Sequence, residues 1–187
     1  MAELWIWRHP RPEGAAGRCI GSRSDLPVDP RRAKRLAHRI RRTARRHGLP
    51  QVIATSPLRR CADVGRWLRR WGWRHHIDVR LAELHFGAWD GRRWAEIAYA
   101  EVSAWEADFL HHAPGGGESL AALRLRQAGW LAEAGDTPAR LVVGHAGWIN
   151  ALRTRHQPAL KSADWPRPLR YGQCWHERLD LPRPDGT

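Results

Sequence analysis

At 187 residues the chain is long enough for one domain with a substantial core, and no linker or composition shift divides residues 1–187. Its charge of +13 is carried almost wholly by arginine, which attracts anions such as phosphorylated metabolites and nucleic acid without specifying a fold. The apolar runs fall short of a membrane span, no secretory leader is visible, and Cys19, Cys61 and Cys174 are too scattered for a disulfide framework, so a cytoplasmic setting without membrane attachment is expected.

Residues 3–8, ELWIWR, predict a short buried strand that stops at Arg8-His9-Pro10. Residues 10–30 have the proline and glycine content of a loop. Asp29 as N-cap and Pro30 at the first helical position then start a helix whose Ala33, Leu36, Ala37, Ile40 and Ala44 share one face. Gly48 and Pro50 end it. QVIAT, residues 51–55, predicts a second strand, and Ser56-Pro57 a cap and first turn for the next helix. Leu58, Cys61, Ala62, Gly65 and Leu68 form the buried stripe of that helix.

IDVRL, residues 77–81, predicts a third strand, followed by a loop over 84–91 and two short helical stretches between Arg92 and His111. PGGGES, residues 114–119, reads as a flexible turn from which Ser119 caps a helix to about Ala134. ARLVVG, residues 139–144, is the clearest strand, with a helix over 148–155 after it. CWHERLDL, residues 174–181, alternates like a final edge strand, and PRPDGT beyond it reads as a frayed tail. Strands alternating with helices predict an α/β domain with a mainly parallel sheet. The twelve tryptophans read first as core, with an aromatic-lined pocket as the alternative.

Ligands in such sheets bind beyond the carboxyl ends of the strands. Arg8-His9 follow the first predicted strand, Ser56 to Arg60 the second, Glu83 the third and Gly144-His145-Ala146-Gly147 the fourth. Two guanidinium groups suit phosphoryl oxygens, one neutral imidazole can attack phosphorus and a second can donate to its oxygens. A carboxylic acid can protonate the leaving alkoxide, and helix N-termini add backbone donors. The small residues around His145, Ala146 among them, let backbone approach a ligand. No metal is needed for this chemistry. His75-His76 and His111-His112 lack a partner at ligand spacing and read as solvated surface.

The ordered set of motifs resembles the histidine phosphatase superfamily, also called phosphoglycerate-mutase-like. RHP at 8–10 is similar to its Arg-His-Gly signature, and TSPLRRCADV at 55–64 to its Ser-Pro-Leu-x-Arg segment. LAELHFGAWDG at 81–91, PGGGES and VVGHAG at 142–147 resemble its later segments. The resemblance implies a three-layer α/β/α sandwich. It implies His9 as nucleophile, Glu83 as general acid, and Arg8, Arg60 and His145 around the phosphoryl group. No cofactor is implied.

The chain departs from the family at several positions. Pro10 replaces a glycine, Pro12 and Ala15 stand where many members have a hydroxyl and an asparagine, and Gly21 stands where many have Ser or Thr. Arg11, Arg18 or Arg23 is expected to compensate, Arg23 as a substrate-binding residue. Size and the 17–29 stretch look most like the α-ribazole phosphatases of cobalamin biosynthesis, with Trp89, Trp94 and Trp105 placed to stack on a flat base. Other small-metabolite phosphatase or mutase activity is the nearest alternative. A basic nucleic-acid-binding module without catalysis, resting on the arginine-rich helix, is the rival from another class, and a homo-oligomer is compatible with either.

Overall fold

A computed structural model of the chain describes residues 2–133 and 139–179. Its five strands form one sheet in the order β3-β2-β4-β1-β5. Strands β1 (Ala2–Arg8), β2 (Val52–Thr55), β3 (Arg74–Ile77) and β4 (Ala139–Gly144) are parallel, and β5 (Cys174–Leu179) runs antiparallel beside β1 at the edge. The helices are α1 (Pro30–His47), α2 (Arg59–Arg70), α3 (Tyr99–Ala107), α4 (Leu120–Ala132) and α5 (Ala146–Arg153).

Side chains alternate across a strand, so β1 feeds two cores. Leu4 and Ile6 pack with Leu120, Leu123 and Trp130 of α4 and with Trp148, Ile149 and Leu152 of α5. Trp5 and Trp7 turn to the opposite face, against Leu36 and Ile40 of α1 and Val64 and Leu68 of α2. The sheet is therefore the middle of three layers, as the resemblance implied.

Helix α1 begins and ends where its caps direct. Asp29 Oδ1 accepts from Arg31 N at 2.8 Å, and Gly48 closes the helix in the left-handed region with φ 62°. All five apolar positions expected on its inner face are buried. Ser119 Oγ likewise accepts from Ala122 N at 3.2 Å to start α4. The expected end of α4 at Ala134, residues 180 and 181 of the expected 174–181 strand, and the 182–187 tail lie outside the described residues.

Four local expectations are corrected. The third strand is Arg74–Ile77, not 77–81; Val79–Leu81 form a 3₁₀ turn capped by Asp78, which accepts from Arg80 N. β3 sits at the sheet edge and is mostly exposed, so it carries no apolar alternation to reveal it. On β3, His75 is half-buried rather than solvated, with Nε2 2.8 Å from Thr55 Oγ1. Ser56 does not cap α2, whose N-cap residue is Leu58 without a side-chain bond; the Ser56 hydroxyl goes to His145 instead. The 114–119 turn is tightly packed, because a Cβ on Gly117 would lie 1.9 Å from His85 O. Among the described residues no helix is long and apolar enough to cross a membrane.

Candidate active site

The parallel pairing of β1 with β4 sets Arg8 opposite Gly144, so the residues that follow, His9 and His145, leave the sheet side by side. His9 N donates to Gly144 O at 3.0 Å, and the two imidazole centroids are 5.1 Å apart. His9 Nδ1 lies 2.7 Å from Pro10 O. A carbonyl only accepts, so Nδ1 carries the hydrogen and Nε2 keeps its lone pair. Proline at position 10 removes a backbone N–H but retains the carbonyl that fixes this tautomer. Burial, with the Arg60 and Arg8 cations adding to it, holds the His9 pKa well below the usual histidine value, so the ring is neutral near pH 7.

Behind His9 lie two wholly buried groups. Arg60, 1% exposed, donates from Nε to His145 Nδ1 at 3.2 Å, from Nη2 to Gly21 O at 2.9 Å, and from Nη1 to Ser24 O. His145, accepting at Nδ1, carries its hydrogen at Nε2, 2.7 Å from Ser56 Oγ. Burial and the Arg60 charge keep this second imidazole neutral as well. Both residues are brought to His9 as expected, yet neither lines the cleft, and their polar atoms already have protein partners.

Arg8 faces the cleft directly. Its Nη1 donates to Leu169 O at 2.6 Å, its guanidinium lies 4.0 Å above the Tyr171 ring, and its buried Nε has no partner. Among the described residues neither Arg8 nor Arg60 takes part in an ion pair. Partly or fully desolvated cations that make no ion pair favour the binding of an anion.

Glu83, 7% exposed, reaches the cleft from the segment after the 3₁₀ turn rather than from a strand end. Its Oε2 accepts from Gly147 N at 3.1 Å, and its Oε1 from Trp148 N at 3.2 Å and Leu84 N at 3.0 Å. The start of α5 therefore fixes the carboxyl group. Glycine at 147 is a close-approach requirement, since a Cβ there would lie 2.5 Å from Glu83 Oε1. From the other side Arg126 donates to Glu83 O at 3.1 Å while paired with Glu118 at 2.7 Å, which ties the 114–119 turn to the site.

Asp90 anchors the loop that supplies the carbonyl partners of Arg60. Its carboxylate accepts from Gly21 N at 3.0 Å, Arg23 N at 2.8 Å and the Ser24 hydroxyl. The missing hydroxyl residue at position 21 has a physical reason: a Cβ there would lie 2.6 Å from both Asp90 Oδ2 and Leu84 O. Arg23, expected to bind substrate, is exposed and absent from the cleft wall. Of the three candidate compensating arginines Arg18 lines it, held by Gly91 O at 2.8 Å.

The cleft encloses about 340 Å³ and is lined by Arg8, His9, Glu83, Ala146 and Gly147 together with Trp94, Trp105 and Trp165. Trp89, expected to stack on a ligand, is 1% exposed and belongs to the core; its Nε1 donates to Glu101 at 3.0 Å. Sequence reasoning missed Asp90, Trp165 and Tyr171, and placed Ser56 at a strand end but gave its side chain only the role of a helix cap. Ser56 and Asp90 lie inside the quoted 55–64 and 81–91 segments; Trp165 and Tyr171 lie in none.

Comparison with known proteins identifies the family and the fold. The family described as histidine phosphatase superfamily (branch 1) matches residues 4–175. A glucosyl-3-phosphoglycerate phosphatase from Mycolicibacterium vanbaalenii is 35% identical over 132 residues, 63% of this chain and 57% of that protein. The chain thus spans little more than half the length of that curated relative. The native structure of a mycobacterial glucosyl-3-phosphoglycerate phosphatase is similar with TM-score 0.75 at 27% identity, over 94% of this chain and 89% of that one. Its structure with VO3 gives 0.76 at 26% identity, over 94% and 90%.

Proposed function

This chain belongs to the histidine phosphatase superfamily, and from that premise we propose that it is a metal-independent phosphomonoesterase that works through a phosphohistidine on His9. The observation that carries this reading is the His9 ring: neutral, held at Nδ1 by Pro10, and subject to the charges of Arg60 and Arg8, two guanidinium groups that have no ion-pair partner among the described residues.

In the first step His9 Nε2 attacks phosphorus. The bond between phosphorus and the ester oxygen breaks as the Nε2–P bond forms, and the departing alkoxide takes a proton from Glu83. In the second step water attacks phosphorus, Glu83 takes a proton from that water, and the electrons of the P–N bond return to Nε2. Arg8 neutralises the phosphoryl oxygens from the cleft side. Arg60 and His145 reach them by exchanging present partners, the Gly21 and Ser24 carbonyls and the Ser56 hydroxyl, for phosphate oxygens. Ala146 lines the same cleft. Binding of VO3 and of inorganic phosphate by the mycobacterial relative supports an oxyanion site in this fold.

The substrate is a phosphorylated small molecule. The α-ribazole assignment has no support among these relatives, whose name gives glucosyl-3-phosphoglycerate instead. Free thiols at Cys19, Cys61 and Cys174 suit a reducing cytoplasm. The test is His9→Asn assayed on an aryl phosphate: we expect turnover to fall by about 10³-fold or more. Turnover retained in that variant overturns the reading.

A further inference from the structure

One short segment, residues 169–173, is built around Arg8. The main chain of Arg8 is held on both sides: its N donates to Gln173 O at 3.0 Å, and its O accepts from Gly172 N at 2.9 Å. Its Nη1 donates to Leu169 O at 2.6 Å, and its guanidinium carbon lies 4.0 Å from the centre of the Tyr171 ring. The segment is itself a closed turn. Gln173 N donates to Arg170 O at 2.9 Å, Gln173 Oε1 accepts from Arg170 N at 3.0 Å, and Gly172 takes φ 72°, a value that favours glycine at the third turn position. Tyr171 is thus presented by a turn whose backbone is bonded to the residue that its ring supports.

A desolvated guanidinium can be held in place in two ways. A carboxylate orients it through an N–H edge, and so occupies the donors and cancels the charge that a phosphoryl group needs. An aromatic face attracts it and leaves its edges free. Arg8 is held the second way. Among the described residues it makes no ion pair, and its one side-chain hydrogen bond is the one from Nη1. The edge that carries Nε and Nη2 has no acceptor among those residues, and Nε is buried. Two N–H groups on one edge match two oxygens of a phosphoryl group. Arg60 has no such free edge, since all three of its nitrogens already donate.

Resting on the phosphomonoesterase reading, we propose that Tyr171 is a positioning residue for phosphoryl binding: its ring face holds Arg8 with the Nε–Nη2 edge open and the charge uncancelled. Tyr171 acts through Arg8 and not by touching the phosphoryl group. The hydroxyl plays no part in that hold.

The test measures calorimetric binding of inorganic phosphate to the full chain, alongside kcat/KM on an aryl phosphate. Tyr171→Leu is expected to weaken phosphate binding about 10-fold and to lower kcat/KM by a similar factor. Tyr171→Phe keeps the face and is expected to recover most of both losses. The side chain is 39% exposed, so the fold is expected to survive either change, which thermal melting checks. Fluorinated phenylalanines installed at position 171 keep the ring's shape and withdraw electron density from its face. Phosphate affinity is expected to fall stepwise with each added fluorine, whereas a ring in direct contact with the anion would give the opposite trend. Unchanged phosphate affinity in Tyr171→Leu, a loss in Tyr171→Phe equal to that in Tyr171→Leu, or affinity that stays flat or rises along the fluorine series overturns the proposal. Graded phosphate binding without any hydrolysis refutes the enzymatic reading and leaves the role of Tyr171 standing. Hydrolysis with phosphate binding indifferent to position 171 refutes that role alone, and a chain that neither binds phosphate nor hydrolyses the ester refutes both.

Discussion

Helix α1 turns an almost unbroken arginine face to solvent, from Arg31 to Arg46, and carries no acidic residue. At the ends of β1 and β4, by contrast, Arg8 and Arg60 act on the His9 ring, and Arg60 is 1% exposed. The same residue type thus follows two different rules. A solvated guanidinium is screened, keeps its water and constrains its neighbours little. A buried one has lost its water and must be given partners, so the fold around it is arranged for its charge. The overall charge of +13 is mostly the first kind, and it supplies the whole basis of the nucleic-acid reading. The proposed chemistry rests on the second kind.

The contrast is broken most strongly by exchanging one arginine in each region. Arg60→Leu removes the donor to Gly21 O, Ser24 O and His145. We expect kcat/KM on an aryl phosphate to fall about 10²–10³-fold, with a lower melting temperature because those acceptors lose their partner. Arg45→Leu on α1 is expected to leave activity within about two-fold and stability within about 0.5 kcal/mol. Similar losses in both variants, by steady-state kinetics and thermal melting, contradict the distinction.

A smaller effect is expected where backbone rather than charge is altered. Gly147→Ala places a methyl 2.5 Å from Glu83 Oε1 and must displace the carboxyl group. A displacement of that order is expected to lower kcat about 10²-fold with little change in KM. Asp90→Ala acts one step farther away, loosening the loop that presents Gly21 and Ser24 to Arg60. Its expected cost is about 10-fold in kcat/KM.

The mildest test is titration. His9 and His145 have pKa values lowered by burial and by Arg60, so the folded chain binds fewer protons than the unfolded one as pH falls through the ordinary histidine value. Their contribution to stability is complete above that value and is lost below it, down toward the lowered folded-state value. Urea midpoints should therefore decline from about pH 7.5 to about pH 5.5, a window above the carboxylate range, and decline less in His9→Asn. A flat profile contradicts the neutral, buried imidazoles.

What the sequence disclosed follows from the range of each interaction. Asp29-Pro30 and Gly48 specify α1 locally, and the 139–144 run announces β4 because it is buried on both faces. His9, His145 and Arg60 were visible because strand ends in an α/β sheet converge, and Glu83 through the quoted 81–91 segment, although it follows a 3₁₀ turn and not a strand. β3 was misplaced because an edge strand can be Arg-His-His-Ile and bear no pattern. Ser56 looked like a helix cap because the competing partner, His145, is 89 residues away. Tyr171 gave no sign at all, since its role as the platform under Arg8 exists only after β5 returns the chain to β1.

The phosphohistidine is tested most directly by rapid acid-free quench of enzyme mixed with a ³²P-labelled phosphomonoester, followed by mapping of the label. The account predicts label on His9, stable in base and lost in acid, and none on the His9→Asn protein. Turnover proceeding with no covalent label, or label on another residue, would contradict it.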